Sequence, residues 1–165
     1  MENDVTAASP WWRESAPRNT WRLFEEFPLF LRLCWDHLNL PAPTPVQLDI
    51  AEYLQHGPRR FVIEAFRGAG KSWATSTYVC WLLLRDPQVN ILVVSASKDR
   101  SDQFTTFTLR LISEMAVLHH LYPEPEQWNS KLAFDVAPAG ADHAPSVKSV
   151  GVMGQMAGSL SLIHI

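Results

Sequence analysis

The stretch FVIEAFRGAGKSW, Phe61 to Trp73, decides how the rest of the chain is read. Phe61 to Ala65 is a short apolar run of the kind a buried strand carries. Arg67 to Gly70 is a turn with two glycines, and Lys71 opens a helical pattern that lasts to about Arg85. Strand, glycine-bearing loop and helix in that order form the context a phosphate-binding (Walker A) loop requires. The full pattern has glycine, four residues, then glycine, lysine and serine or threonine. This chain carries Ala65 in the first place and Gly70, Lys71 and Ser72 in the last three, so it is a variant.

Each residue type in the loop has a physical task. Around Gly68, Ala69 and Gly70, main-chain N–H groups turn inward on a β-phosphate, and the helix start at Lys71 adds the positive end of its dipole. Lys71 reaches the β- and γ-phosphates of ATP, and the Ser72 hydroxyl is placed to coordinate Mg²⁺. Arg67 lies four positions before Lys71 and has two readings of equal weight: it stabilises charge developing on the γ-phosphate, as an arginine finger does, or senses the ATP state, or else it forms a structural ion pair with Glu64 or with a carboxylate beyond this stretch of sequence. The bland alternative for the whole motif is a glycine turn beside a surface lysine.

Upstream, large apolar residues recur at helical spacing from Trp21 to Leu38 (Phe24, Phe27, Leu31, Cys34, Trp35), with Pro28 marking a start one turn in. Asn39 to Pro41 stops that helix. A stiff connector to Pro45 precedes a second one, Val46 to Leu54, closed by His56, Gly57 and Pro58. Gln47 near its start offers the donor and acceptor that would read adenine's N6 and N7 edge; taken alone, a solvent-facing glutamine describes it as well.

Downstream, Asn90 to Ser95 is a continuous apolar run, the mark of a parallel strand covered on both faces. With Phe61 to Ala65 it makes a right-handed βαβ unit, so the expected class is α/β, a parallel sheet flanked by helices. Ser95 to Lys98 follow at the strand's carboxyl end, where open sheets place ligand contacts. They contact DNA or relay the nucleotide state, or else Ser97 simply caps the next helix and Lys98 is solvated. That helix spans Lys98 to Leu118. Two short strands, Lys131 to Val136 and Val147 to Val152, form a hairpin across a turn at Ala137 to Pro145. His119, His120, Asp142 and His143 lack metal-ligand spacing and read as loop residues.

Composition narrows the class. At 165 residues and 47% apolar the chain suits one domain, and seven tryptophans with eight phenylalanines argue against disorder. Only residues 1 to 20 look loose, with Trp11 and Trp12 free to dock. The net charge of −3 shows no basic surface for nucleic acid, so such a role must rest on motifs. Cys34 and Cys80 read as reduced core thiols. The apolar run Tyr78 to Leu84 is too short to span a bilayer and no signal-peptide order precedes it, which predicts a cytoplasmic protein without a membrane partner.

Four segments, LNLPAPTPVQLDIA (Leu38 to Ala51), FVIEAFRGAGKSW (Phe61 to Trp73), RDPQVNILVVSASKDRSD (Arg85 to Asp102) and FDVAPAGADHAPSVKSVGVMGQMAGS (Phe134 to Ser159), together resemble the large terminase subunits of tailed bacteriophages, in particular the T7-like group. The resemblance implies an incomplete RecA-like P-loop core with N-terminal helices. In the complete protein, ATP hydrolysis would thread double-stranded viral DNA into a procapsid. Arg67 and Lys71 would act on the phosphates, Gln47 on adenine, and Ser95 to Lys98 would face the nucleotide. The implied partners are the portal protein, the small terminase subunit and further copies in a ring, in the host cytoplasm and at the portal vertex.

After Gly154 to Ser159 that family continues with an apolar strand ending in paired acidic residues that hold Mg²⁺ and activate water. This chain instead has LSLIHI, Leu160 to Ile165, which one frame of a transposase-type sequencing adaptor would encode, the bland alternative being a natural apolar strand. The expected division is therefore a flexible segment (1 to 20), a partial ATPase domain (21 to 159) and a non-native tail (160 to 165). No nuclease domain is included. Such a chain is expected to bind nucleotide weakly without turnover. The competing readings are a helicase-like RecA-type ATPase and a truncated binding module with a vestigial loop.

Overall fold

The computed structural model describes Arg13, residues 17–151 and the backbone of 161–164. Trp11, Trp12 and the segment Gly154 to Ser159 lie outside the described residues.

A 3₁₀ turn at Arg18–Thr20 enters α1 (Trp21–Glu25), and after one extended residue, Glu26, α2 runs over Phe27–His37. The single helix expected from Trp21 is thus two. Pro28 sits in the first turn of α2, where its missing N–H has no intrahelical acceptor to lose. The Gln55 side chain bridges the break: its Oε1 accepts from Phe27 N (2.7 Å) and its Nε2 donates to Glu25 O (2.7 Å). Phe27, Phe30, Leu31, Cys34 and Trp35 fall on one stripe of α2 and are all buried. Asn39 ends the helix in the left-handed region (φ 54°), letting Leu40 N donate back to Trp35 O at 3.0 Å. Next, α3 (Pro45–His56) opens on a capping box between Thr44 and Gln47 and buries Ile50, Ala51 and Leu54.

Residues 61–65 depart from expectation. They form no strand; Phe61 and Val62 are exposed, the latter at 79%, and only Ile63 and Ala65 pack against the core. Both edges of the strand they were expected to join are occupied by other strands, so no ladder is open to them there. The βαβ unit forms elsewhere. After α4 (Lys71–Arg85) come β1 (Ile91–Ser95), α5 (Lys98–Glu114), a 3₁₀ turn at His119–Leu121, β2 (Ala133–Phe134), β3 (Val147–Gly151) and β4 (Ser161–His164). The parallel neighbours of β1 are β3, reached through α5, and β4.

The strand order among the described residues is β2-β3-β1-β4, with β2 and β3 antiparallel as the expected hairpin. Residues of LSLIHI thus supply β4, with Ile91 opposite Ser161. The result is an α/β fold with a small mixed sheet. Every residue of β1 is buried, in keeping with its continuous apolar run. Ile91 and Val93 face the main core with Val147, and Leu92 and Val94 pack with Val150 on the other side. Helix α5 lies over the first face, where the Ser149 hydroxyl donates to Ser101 O (3.0 Å) and meets Thr105 Oγ1.

Cys34 and Cys80 are free and buried, as read from their setting. Burial pushes the Cys34 thiol up to about 12.

Candidate functional site

The turn from Arg67 to Gly70 has the conformation its glycines permit. Gly68 (φ 93°) and Gly70 (φ 83°) both occupy the left-handed region, and Gly70 is the residue on which α4 begins. A side chain at Gly68 would meet open space. At Gly70 a Cβ would stand 2.9 Å from Gln47 Nε2, so this position is glycine for two reasons. Ala69 is buried and its carbonyl accepts from Gln47 Nε2 at 3.3 Å, while Gln47 Oε1 accepts from Thr44 N at 2.9 Å. Gln47 therefore joins the start of α3 to the loop. This is a structural role that neither reading of its sequence position had assigned.

Lys71 curls over the turn. Its ammonium donates to Ala65 O (2.5 Å) and Phe66 O (3.0 Å), closing the loop across its mouth. Arg67 is exposed and forms no ion pair with Glu64 or any other carboxylate among the described residues. Ser72, in the first turn of α4, is exposed beside it.

These groups share a cleft of about 1090 Å³, at the upper end of the range for small-molecule sites. Arg67, Gly68, Gly70, Lys71 and Ser72 line one side. Ser95, the last residue of β1, lines it too, which sets the loop at the carboxyl edge of the sheet. Thr44 and Gln47 stand at the rim formed by the connector. Among the described residues the lining holds three cationic side chains, Arg67, Lys71 and Arg100, and no carboxylate. A chain of net charge −3 thus presents a locally positive concavity, and field lines focused by low-dielectric walls attract anions.

Of the two readings for Ser95 to Lys98, the capping one describes Ser97: its hydroxyl accepts from Arg100 N at 3.4 Å and starts α5. Lys98 pairs with Asp102 on the surface (2.8 Å), an interaction that raises its pKa. Asp142 holds its loop by accepting from Asn90 Nδ2 at 2.7 Å. Among the described residues no group of three or more His, Cys, Asp or Glu is placed to hold a metal ion, and no helix is long and apolar enough to cross a membrane.

Sequence reasoning missed the part of the lining that α5 supplies. Arg100, Gln103, Phe104 and Phe107 of α5 line the cleft at spacings of three, four and seven residues, one face of a helix. Trp73 stands between Trp35 (6.3 Å between centroids) and Phe107 (5.7 Å), forming an aromatic flank. The signal was present as a polar and aromatic stripe beginning three residues after Ser97.

Over 141 residues the chain is 49% identical to the terminase large subunit of Enterobacteria phage T3; the match takes in 85% of this chain and 24% of that relative, so the chain spans about a quarter of its length. No protein-family model matches the chain. The resemblance read from the four quoted segments is borne out by this relative.

Proposed function

We propose, from the premise that this chain belongs with the terminase large subunits over the stretch it shares with the phage T3 protein, that its cleft is the ATP site of a DNA-packaging motor. The observation that carries the reading is the union of two left-handed glycines, a helix start and three cations with no carboxylate in one cleft at the carboxyl end of β1. Such a lining suits a triphosphate and disfavours a cation or an acidic peptide.

In this reading the parallel strands β1 and β3 belong to a RecA-like P-loop core. The amides at the start of α4, which lack intrahelical acceptors, bind phosphoryl oxygens, and Lys71 exchanges its loop carbonyls for phosphate. Arg67 stabilises the terminal phosphate's charge. Ser72 would offer its hydroxyl to a magnesium ion, which would supply neutralising charge for the phosphate oxygens. Gln47 holds the loop in shape, and the unused donor of its amide remains for an adenine contact.

Among the described residues no carboxylate lines the cleft to activate an attacking water, and in this reading the chain by itself binds ATP without rapid turnover. Hydrolysis, DNA translocation, nuclease activity, ring assembly and contacts with portal and small subunit belong to the complete protein. Calorimetric titration with ATP and Mg²⁺ tests the site. The wild-type chain should bind, and Lys71→Ala should weaken binding by roughly a hundredfold, the scale of a lost charge-assisted contact. Equal affinity in both proteins would refute the assignment.

A further inference from the structure

We infer that Arg100, which lines the same cleft as the phosphate loop, is the residue by which this site distinguishes a nucleoside triphosphate from a diphosphate. The inference rests on the nucleotide reading of the cleft and deepens it. Two cations stand in the first turn of α5. Lys98 is turned to the surface and tied to Asp102 at 2.8 Å, and it does not line the cleft. Arg100 does line it, is exposed, and has no carboxylate within ion-pair distance among the described residues. The charge that α5 offers the cleft is therefore that of Arg100.

Its backbone is held on a fixed base. Arg100 N donates to the Ser97 hydroxyl (3.4 Å), Ser101 Oγ donates to Ser97 O (3.2 Å), and Ser149 Oγ of β3 donates to Ser101 O (3.0 Å). Gly151, at the end of β3, lies so close beneath that an added Cβ would stand 2.9 Å from Lys98 N. A long side chain thus springs from a hydrogen-bonded turn, and ordering its rotamers is the main entropic cost of binding.

Position sets the specificity. Lys71 and the loop amides reach a ligand from α4, whereas Arg100 approaches from α5, a different element that packs against α4 through Phe107 and Trp73 and lines the same cleft. A diphosphate cradled by the loop engages the loop and α4 alone. The added terminal phosphate carries the charge and the pair of oxygens that a planar guanidinium binds with two parallel hydrogen bonds, and it is the group Arg100 takes. Gln103, one turn further along the same face, supplies a neutral donor beside it.

The test is a calorimetric comparison of ATP and ADP, each with Mg²⁺, on the wild-type chain, Arg100→Ala, Arg100→Lys and Lys71→Ala, with circular dichroism confirming that the variants keep their helices. Arg100→Ala should lose about tenfold or more in ATP affinity while ADP changes by less than about threefold, and Arg100→Lys should recover part of the loss. Lys71→Ala should weaken both nucleotides. Equal loss of ATP and ADP in Arg100→Ala, or no loss of either, overturns the inference while leaving the nucleotide site intact. A wild-type chain that binds neither nucleotide overturns both together.

Discussion

The packing around Trp81 and the loop from Phe61 to Gly70 flank the same helix and are built in opposite ways. Trp81 is about 1% exposed, its ring lies 5.5 Å from Phe27 and 5.8 Å from Tyr78, the Arg85 guanidinium stands 4.5 Å above it, and its Nε1 donates to Leu23 O at 2.9 Å. In the loop segment Val62 and Phe66 face solvent, and the turn is fixed by bonds from Gln47 and Lys71 and by two left-handed glycines. Burial, which is non-directional and summed over many contacts, shapes the first region. A few directional bonds shape the second, and that is why it can open its amides and its lysine to a ligand.

The contrast predicts a graded set of outcomes. Trp81→Ala removes the largest buried side chain and orphans the Leu23 carbonyl, so urea unfolding should show a loss of about 3–5 kcal/mol. A loss under about 1 kcal/mol would mean that the core does not depend on this ring. In the loop, Gly70→Ala meets both a left-handed φ and the Gln47 amide and should cost about 2 kcal/mol. Gly68→Ala has the same backbone penalty but open space and should cost about 1 kcal/mol. Finding the two equal would show that the Gln47 contact places no constraint on the turn. Gln47→Ala should lower stability by about 1 kcal/mol through the lost capping box, and nucleotide affinity with it, because the loop is released at Ala69. Ser97→Ala removes a cap whose bond is long (3.4 Å), and a loss of about 0.5 kcal/mol is expected in the same assay.

The parts of the fold legible in the sequence are those set by local periodicity. The stripe Phe27, Phe30, Leu31, Cys34, Trp35, the continuous run Ile91 to Val94, and the stops at Asn39, Gly57 and Asp86 each state their structure within a few residues. The run Phe61 to Ala65 carries an equally good strand pattern and forms none. Whether a run finds a ladder depends on which distant segments pair with β1, and β3 and β4 lie more than fifty residues downstream.

The candidate site divides along the same line. The turn at Gly68 and Gly70 and the helix start at Lys71 were legible because glycine and the helical pattern fix backbone conformation locally. Arg100 was not, since only the tertiary fold brings α5 into the same cleft as the loop. Gln47 was noticed for its chemistry toward a ligand, yet in the fold its amide first serves Thr44 and Ala69. A side-chain amide has the same appearance in sequence whether its partner is a ligand or a main-chain group.

The central claim is that main-chain amides of the loop and of the start of α4 bind phosphate, and amide hydrogen exchange with and without ATP and Mg²⁺ reads it directly. Protection should appear at residues 68–72 and in the first turn of α5, with exchange around Trp81 changing little. Exchange at residues 68–72 that stays the same at saturating nucleotide, with protection elsewhere or nowhere, would contradict the account.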